Sequence, residues 1–322
     1  MSQNITAILL AVYNPNTDWL AELLASLNAQ TQPGLRLYVR DDASTTVTLP
    51  QLEALLRRQI TAFPYVLSRN DRNLGSNATF SGLVRDCGED CRYVAFCDQD
   101  DVWLPDKLKN SLWLLEHSPL SPTLVCTDVR VIDARGRVIA PDMEHHRRRH
   151  VFLRGEGLAG TLFFRNFVIG CTVVAERARV LRCLPFPEGV VHDHYLAFRA
   201  ACEGALDYLP EPQLLYRVYG GNQTGVMTHV RTRQDYYRER IAAFARRVEL
   251  FAPYAPGLPE LPDIRAWCAA RERNYRRERG SFGELFRLRR LNPSTTLFEL
   301  LALRMPRPLF RLAVWAVQRR LL

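Results

Sequence analysis

The sequence predicts an α/β fold: a Rossmann-like, mostly parallel sheet flanked by helices, followed by an Arg-rich helical C-terminal extension. Three observations predict it. Apolar runs of strand length alternate with amphipathic helix-length segments over roughly the first hundred residues. Polar and acidic residues gather at the C-terminal ends of those runs, above all Asp98-Gln99-Asp100-Asp101. The charge then changes character: from residue 228 onward there are 20 Arg and no Lys against 9 Asp and Glu, so this tail carries +11 of a total of +9 and the rest about −2.

The elements follow in order. Ile5 to Val12 reads as a buried strand, ended by Tyr13-Asn14-Pro15-Asn16. Asn16 or Thr17 can cap a helix through Trp19, Leu20, Leu23, Leu24 and Leu27. Gly34 breaks the chain, Leu35 to Arg40 is a second strand, and a helix follows around Leu52 to Ile60. Tyr65 to Ser68 is a short third strand. The loop Asn70 to Asn77 leads into a helix ending near Cys87, and Tyr93 to Cys97 is the fourth strand. Strict alternation of this kind argues parallel strands with right-handed crossovers. A helix from Pro105 to His117 comes next. Thr123 to Asp133 and Val138-Ile139 flank Ala134-Arg135-Gly136-Arg137 as a hairpin. Residues 141–155 are basic and His-rich without periodicity, and read as a loop. Phe167 to Val174 reads as a strand, Val191 to about Cys202 as a helix, and Leu206 to Leu209 and Leu214 to Val218 as two further strands. The remainder is helical: Thr232 to Leu250, a Pro-rich break, Ile264 to Arg279, Phe282 to Leu291, Thr296 to Arg304 and Pro308 to Leu322. The expected division is residues 1–225 and 226–322.

Composition is that of a globular protein, with 47% hydrophobic and 24% charged residues in 322. The eight cysteines show no zinc-binding spacing and read as buried free thiols of a reducing compartment. The first residues lack a basic stretch and a cleavage site, so they read as a strand and not as a signal peptide. No run is apolar over a membrane-spanning length.

In open α/β sheets ligands bind beyond the C-terminal ends of the strands. Ala11 to Asn14, Asp42, the Asn73-Leu74-Gly75 loop and Asp98 to Asp101 should therefore converge on one crevice. Clustered carboxylates repel one another and call for a cation. Hard oxygen donors suit Mg2+ or Mn2+, which in turn suit a diphosphate. A helix-capping acidic turn is the plainer alternative. Asp42 can accept the imide N–H of a uracil or thymine ring. Gly75 allows close approach of backbone to a ligand. No glycine-rich phosphate cradle is present, so a metal would hold the phosphates.

Ala11-Val12-Tyr13-Asn14, Asp41-Asp42-Ala43-Ser44, Asn73-Leu74-Gly75, the run Asp98 to Leu108, Gly170-Cys171-Thr172, His192-Asp193 and Tyr216-Arg217 together resemble the family 2 glycosyltransferases, which have the GT-A fold. The likeness covers roughly residues 5–225 and is nearest to bacterial rhamnosyltransferase-like members. It implies that Asp42 reads a pyrimidine base beside Ala11, Tyr13 and Asn14, with Asn73 and Gly75 also at the nucleotide sugar. It implies that Asp98 and Asp100 address ribose and metal, with Asp100 or Asp101 as direct ligand. Asp193 becomes the general base that takes the proton of an acceptor hydroxyl, inverting the anomeric centre; its structural alternative is a helix cap. His192 and His194 are more simply structural than metal ligands, although His192 can orient Asp193 or the diphosphate. The sequence departs from the look-alikes at Tyr219, where they usually have His, and Arg217 is then the fallback for phosphate. Ala11 also replaces a more common small hydroxyl residue. Gly170-Cys171-Thr172 lines the acceptor side or simply packs in the core. Trp103 and Trp113 read as core residues.

In the tail, apolar residues such as Leu309, Leu312 and Trp315 interleave with Arg304, Arg307, Arg311 and Arg319. This pattern fits amphipathic helices on an anionic membrane surface better than nucleic acid. A solvated helical face and an oligomer contact are the plain alternatives. The expected activity is thus a metal-dependent, inverting transfer of a sugar, rhamnose from dTDP-rhamnose by resemblance or another dTDP- or UDP-sugar, to a lipid-linked surface glycan at the cytoplasmic face of the inner membrane. Two rivals are a nucleotidyltransferase, which would want a glycine-rich basic loop where Tyr13-Asn14-Pro15-Asn16 stands, and a non-catalytic Arg-rich membrane- or RNA-binding protein, which has no need of both Asp100 and Asp193.

Overall fold

A computed structural model describes residues 5–147, 150–220, 227 and 230–319. Arg148, Arg149, Gly221, Asn222, Arg320, Leu321, Leu322 and the expected 225/226 boundary lie outside the described residues. The chain forms two compact units: residues 1–158 with 166–220, and residues 159–165 with 221–322.

The first unit opens with β1 (Ile5–Val12), α1 (Thr17–Asn28), β2 (Leu35–Asp41), α2 (Leu49–Gln59), β3 (Tyr65–Arg69), α3 (Ser76–Asp86) and β4 (Cys91–Cys97). β3, β2, β1 and β4 lie side by side in that order and are all parallel. The alternation of strands and helices dictates this arrangement, because each crossover helix must bury its apolar stripe on the sheet. Ala7, Ile8, Leu9 and Leu10 are all fully buried, as a central strand covered on both faces requires. Asn16 caps α1 by accepting from the Asp18 and Trp19 amides at 3.0 and 3.2 Å. Thr48 and Gln51 close a capping box on α2.

The second half of the sheet is mixed. It comprises β5 (Val102–Trp103), β6 (Leu124–Ile132), β7 (Val138–Ala140), β8 (Val174–Glu176) and β9 (Leu206–Arg217), with α4 (Lys107–His117), α5 (Met143–His146), α7 (Arg177–Leu181) and α8 (His192–Glu203) around it. β8 runs antiparallel to β4 and β6, and β6 runs parallel to β9. The two strands expected over 206–218 form the single β9, with register shifts around Asp128 opposite its Pro210-Glu211-Pro212 stretch. A proline cannot donate to the ladder, so the pairing slips there without ending. The strand expected over Phe167 to Val174 is mostly something else: Gly170–Thr172 curls into a 3-10 turn and only Val174–Glu176 pairs. Trp103 is buried as expected, whereas Trp113, expected in the core, stands 62% exposed on α4.

The second unit gathers α6 (Ala159–Phe164), α9 (Arg233–Tyr236), a π-helical stretch (Tyr237–Ala242), α10 (Ala243–Phe251), α11 (Leu261–Tyr275), α12 (Ser281–Arg287), α13 (Pro293–Ala302) and α14 (Arg307–Gln318). α6 joins it through rings: Phe163 meets Phe251, and Phe164 meets both Phe244 and Trp267. All eight cysteines are free thiols. Among the described residues no helix is long and apolar enough to cross a membrane.

Candidate active site

The C-terminal edge of the parallel strands carries strained backbone. Asn14 after β1 has φ 43° and Ala43 after β2 has φ 58°. Such conformations cost free energy and persist where the surroundings hold them. Asn14 is held through its side-chain oxygen, which accepts from the Thr45 and Thr46 amides at 2.7 and 3.1 Å, and its own amide donates to Ser44 Oγ at 2.8 Å. Gln99 ties the acidic turn to β1: its Oε1 accepts from the Tyr13 amide at 2.8 Å and its Nε2 donates to the Tyr13 carbonyl at 3.0 Å. Tyr13 itself is exposed and Ala11 half-buried beside it.

Asp42 is buried and organises the neighbouring loop. Its Oδ1 accepts from Asn70 Nδ2 at 2.7 Å and the Leu74 amide at 2.8 Å, and its Oδ2 accepts from the Gly75 amide at 2.8 Å. A carboxylate oxygen has two lone pairs, so these bonds leave one acceptor position on Oδ2. Gly75, at φ 83°, opens α3 in a conformation suited to glycine. Asn73 is exposed at the tip of the same loop.

The acidic turn after β4 is built around Arg217. The Arg217 amide donates to Asp101 Oδ1 at 3.0 Å, its Nε donates to the Asp100 carbonyl at 2.9 Å, and its NH2 pairs with Glu22 at 2.6 Å. The guanidinium, only 1% exposed, also lies over the Trp19 ring. Arg217, expected at the diphosphate, binds the backbone of the turn at Asp100 and the carboxylate of Glu22. Asp98 and Asp100 are half-buried, while Asp101 is turned fully into the core. Burial and the charges of Asp100 and Asp193 push Asp98 up to about 7. Burial also raises Asp100, against the hydroxyl of Tyr219, which donates to it, and the charge of Arg217. Asp101 is held well above the usual carboxylate range by burial and by its two acidic neighbours.

These raised values have one physical origin: carboxylates crowded at low solvation. Carboxylate oxygens of Asp98 and Asp101 and the Cys171 sulfur lie within 4.8 Å of one another, and Asp101 Oδ2 has no hydrogen-bond partner among the described residues. The two carboxylates offer the hard oxygen donors that a divalent cation takes, whereas burial raises the Cys171 thiol and keeps it a poor ligand for such an ion. The buried Lys107 ammonium, 3.5 Å from the Trp103 ring centroid, adds positive charge behind Asp101, and burial lowers it to about 8. Asp98 and Asp100 are the carboxylates of the turn that keep some exposure. Gln99 and Lys107 lie in the run that carries the family resemblance, yet nothing local assigns either a role, because a lysine at a helix start and a glutamine in a turn are ordinary surface residues.

Asp193 enters from α8. Asn77 of α3 anchors the approach: its Nδ2 donates to the Pro187 and Val190 carbonyls at 2.6 and 2.7 Å, and its Oδ1 accepts from the His192 amide at 3.0 Å. Val191, not Asp193, is the N-cap of α8, and it makes no side-chain capping bond. Burial lifts Asp193 to about 6, partly offset by hydrogen bonds from the His194 and Gly170 amides and from Asn166. His192 is buried among Phe80, Phe96 and Phe186, at ring centroid separations of 4.4, 5.2 and 5.9 Å. Neither of its ring nitrogens has a hydrogen-bond partner among the described residues, and burial drives it down to about 3, so it is a neutral aromatic wedge. His194 is buried as well.

Gly170 and Cys171 join the two carboxylate groups. A Cβ on Gly170 would lie 3.1 Å from His192 Nε2 and 3.4 Å from Asp193 Oδ2, while the next residue touches the acidic turn. Gly170→Ala is expected to destabilise the protein by about 1–3 kcal/mol through overpacking and to displace Asp193. Chemical denaturation and a transfer assay on the same preparation measure both effects. A pocket of about 380 Å³ lies elsewhere, lined by Thr6, Gln32, Tyr93 and Trp113 at the opposite ends of β1 and β4.

Comparison with known proteins gives a consistent picture. A family model described as glycosyl transferase family 2 matches residues 7–171, just over half of the chain. The chain is similar to dTDP-rhamnosyl transferase RfbG of Shigella flexneri, with 24% identity over 73% of this chain and 83% of that protein. It is also similar to an uncharacterized glycosyltransferase of Haemophilus influenzae, 27% identical over 35% of each chain. Among solved structures, S. aureus TarS 1-349 in complex with UDP superposes with a TM-score of 0.57 at 15% identity, covering 98% of this chain and 92% of that one. The mannosyltransferase PcManGT from Pyrobaculum calidifontis in complex with GDP-Man and Mn2+ gives 0.56 at 17% identity, covering 97% and 84%.

Proposed function

The chain belongs to glycosyl transferase family 2 and is a glycosyltransferase of GT-A fold, and from that premise we propose a metal-dependent, inverting transfer from a pyrimidine nucleotide sugar, dTDP-rhamnose first among the candidates, to a hydroxyl of a lipid-linked surface glycan at the cytoplasmic face of the inner membrane. One observation carries the reading: Gly170-Cys171 joins Asp193 to the acidic turn at Asp98, whose carboxyl feels the charges of both Asp100 and Asp193. A separate general base and a separate diphosphate site are what a single displacement needs. Likeness to a dTDP-rhamnosyl transferase supports the donor, and so does the free acceptor position on Asp42, which suits the imide N–H of thymine or uracil.

In this reading Tyr13, Asn14, Asn73 and Gly75 frame the base and ribose beside Asp42, and Ala11 contributes backbone. Asp98 faces the ribose. Asp100 would be the cation ligand, steadied by Tyr219; Asp101 and Arg217 hold the turn that presents it. A divalent cation there, Mg2+ or Mn2+, would neutralise the leaving diphosphate. Asp193 takes the proton of the acceptor hydroxyl while its oxygen bonds to the anomeric carbon. The bond to the diphosphate oxygen breaks on the opposite face, the nucleoside diphosphate leaves, and the configuration inverts. Asp193 then gives its proton to water.

Incubating the protein with Mn2+ or Mg2+ and a panel of dTDP-, UDP- and GDP-sugars tests the donor. Thermal stabilisation should be largest with a dTDP-sugar, and a preference for GDP-sugars sinks the pyrimidine assignment. Asp100→Asn should weaken metal-dependent nucleotide binding at least about tenfold, read by calorimetry with and without Mn2+. Equal affinity in the variant would remove Asp100 from the cation.

A further inference from the structure

The second unit carries apolar residues on the outside of helices whose insides are already packed. α14 buries Phe310 and Val314 on its inner face with Tyr236, Ile241, Ala302 and Leu303. Its outer face nevertheless presents Leu309, Leu312 and Trp315, which are 50%, 58% and 43% exposed. On α13, Leu297 and Leu301 point outward in the same way, at 58% and 52%. A helix that packs one face and exposes leucine and tryptophan on the other needs a second apolar environment.

The charges beside these residues identify that environment. Residues 281–319 contain seven Arg and two Glu. Both glutamates are already engaged inside the unit, Glu299 with buried Arg271 and Glu284 with Arg273. Arg307, Arg311 and Arg319 are exposed and have no acidic partner among the described residues. Arg319 lies 4.7 Å over the Trp315 ring and Arg289 4.1 Å over the Phe286 ring. Arg guanidinium stacked on exposed aromatic rings puts positive charge at the edge of the apolar surface. That combination matches a bilayer interface, where leucine and tryptophan enter the acyl boundary and arginine stays with phosphate. A nucleic acid would use the charge and leave the leucines in water. A second copy would bring the same positive charge against itself.

We infer that the outer faces of α13 and α14, centred on Leu301, Leu312 and Trp315, are a docking surface for an anionic lipid bilayer. This deepens the lipid-linked acceptor reading and rests on it for its biological setting. The docking is superficial: the apolar face lies in the interface and no segment crosses it.

The test is flotation of the full chain with vesicles of phosphatidylcholine alone or with one third phosphatidylglycerol. Wild type should float with the anionic vesicles, weakly with the neutral ones, and less at high salt. Leu312→Asp/Trp315→Asp should lower the bound fraction at least about tenfold with an unchanged circular dichroism spectrum. Arg307→Gln/Arg311→Gln should lower binding to anionic vesicles only. Equal flotation of the Asp variant overturns the inference. So does equal binding to both lipids, a stable dimer that the Asp variant dissolves without vesicle binding, or capture of single-stranded RNA in place of vesicles. Nucleotide release from the donor in vesicle-free buffer is measured in parallel: its loss in wild type would count against the enzyme reading alone, and its retention in the Asp variant keeps the two questions apart.

Discussion

Asp193→Asn is expected to lower kcat for sugar transfer by about 10²–10⁴-fold, the usual worth of a positioned general base, while nucleotide affinity stays near wild type. The amide keeps the size of the side chain and can still accept from the His194 amide, which Asp193 Oδ1 does at 2.6 Å. What it loses is the ability to hold a proton. The same assignment sets a pH dependence. Only the carboxylate form is a base, and burial holds Asp193 near 6. Transfer should therefore fall as pH drops through about 6 and level off above it, and the Asn variant should show a residual rate without that limb. A wild-type rate in the variant, or a limb that survives the substitution, would remove Asp193 from proton transfer. Loss of nucleotide binding together with transfer would instead point to a collapsed edge, because His192 and Gly170 pack directly against this residue.

Glu299→Ala is expected to destabilise the helical unit by about 3–5 kcal/mol, as removal of one partner from a buried ion pair does. Glu299 and Arg271 are 0% and 2% exposed. Arg271 Nε donates to both Glu299 oxygens at 3.0 Å, and the Tyr236 hydroxyl donates to Glu299 at 2.9 Å. The guanidinium also lies 4.4 Å from the Trp267 ring centroid. Without Glu299 that charge is stranded in an apolar environment. Replacing both partners, Glu299→Leu with Arg271→Met, should cost much less, because no uncompensated charge remains. Denaturation followed by Trp267 emission should shift strongly for the single variant and little for the double. Equal shifts would mean that packing, and not charge, dominates at this position.

These two residues show where reading the chain as a string reaches its limit. Arg271 belongs to an Arg-rich tail that reads as a solvated or membrane-facing surface. Leu312 and Trp315 do lie outside, but Arg271 is core. Nothing within a few positions of Arg271 announces Glu299, 28 residues away, as its partner. Arg217 is the same case on the other unit. A basic residue at a strand end suggests phosphate, and its partners include the Asp100 carbonyl and Glu22, which nothing near it in the sequence announces. Trp113 errs in the opposite direction, an apolar residue in a helix pattern that the fold leaves exposed.

The sequence by itself determined β1 to β4, their crossover helices and the polar character of the strand ends, because period, capping and turn chemistry act within a few residues. It placed Asp42 and Asp98 to Asp101 at the strand ends, with Asp100 or Asp101 as the metal ligand, and the family resemblance added Asp193. The tertiary structure alone decided that Gly170-Cys171 would curl into a turn and bring Asp193 to the acidic edge, that Asp101 would face the core, and that Arg217 and Lys107 would be buried beside it. Burial and charge compensation depend on which distant segments meet, and solvation, unlike periodicity, is a property of the packed molecule.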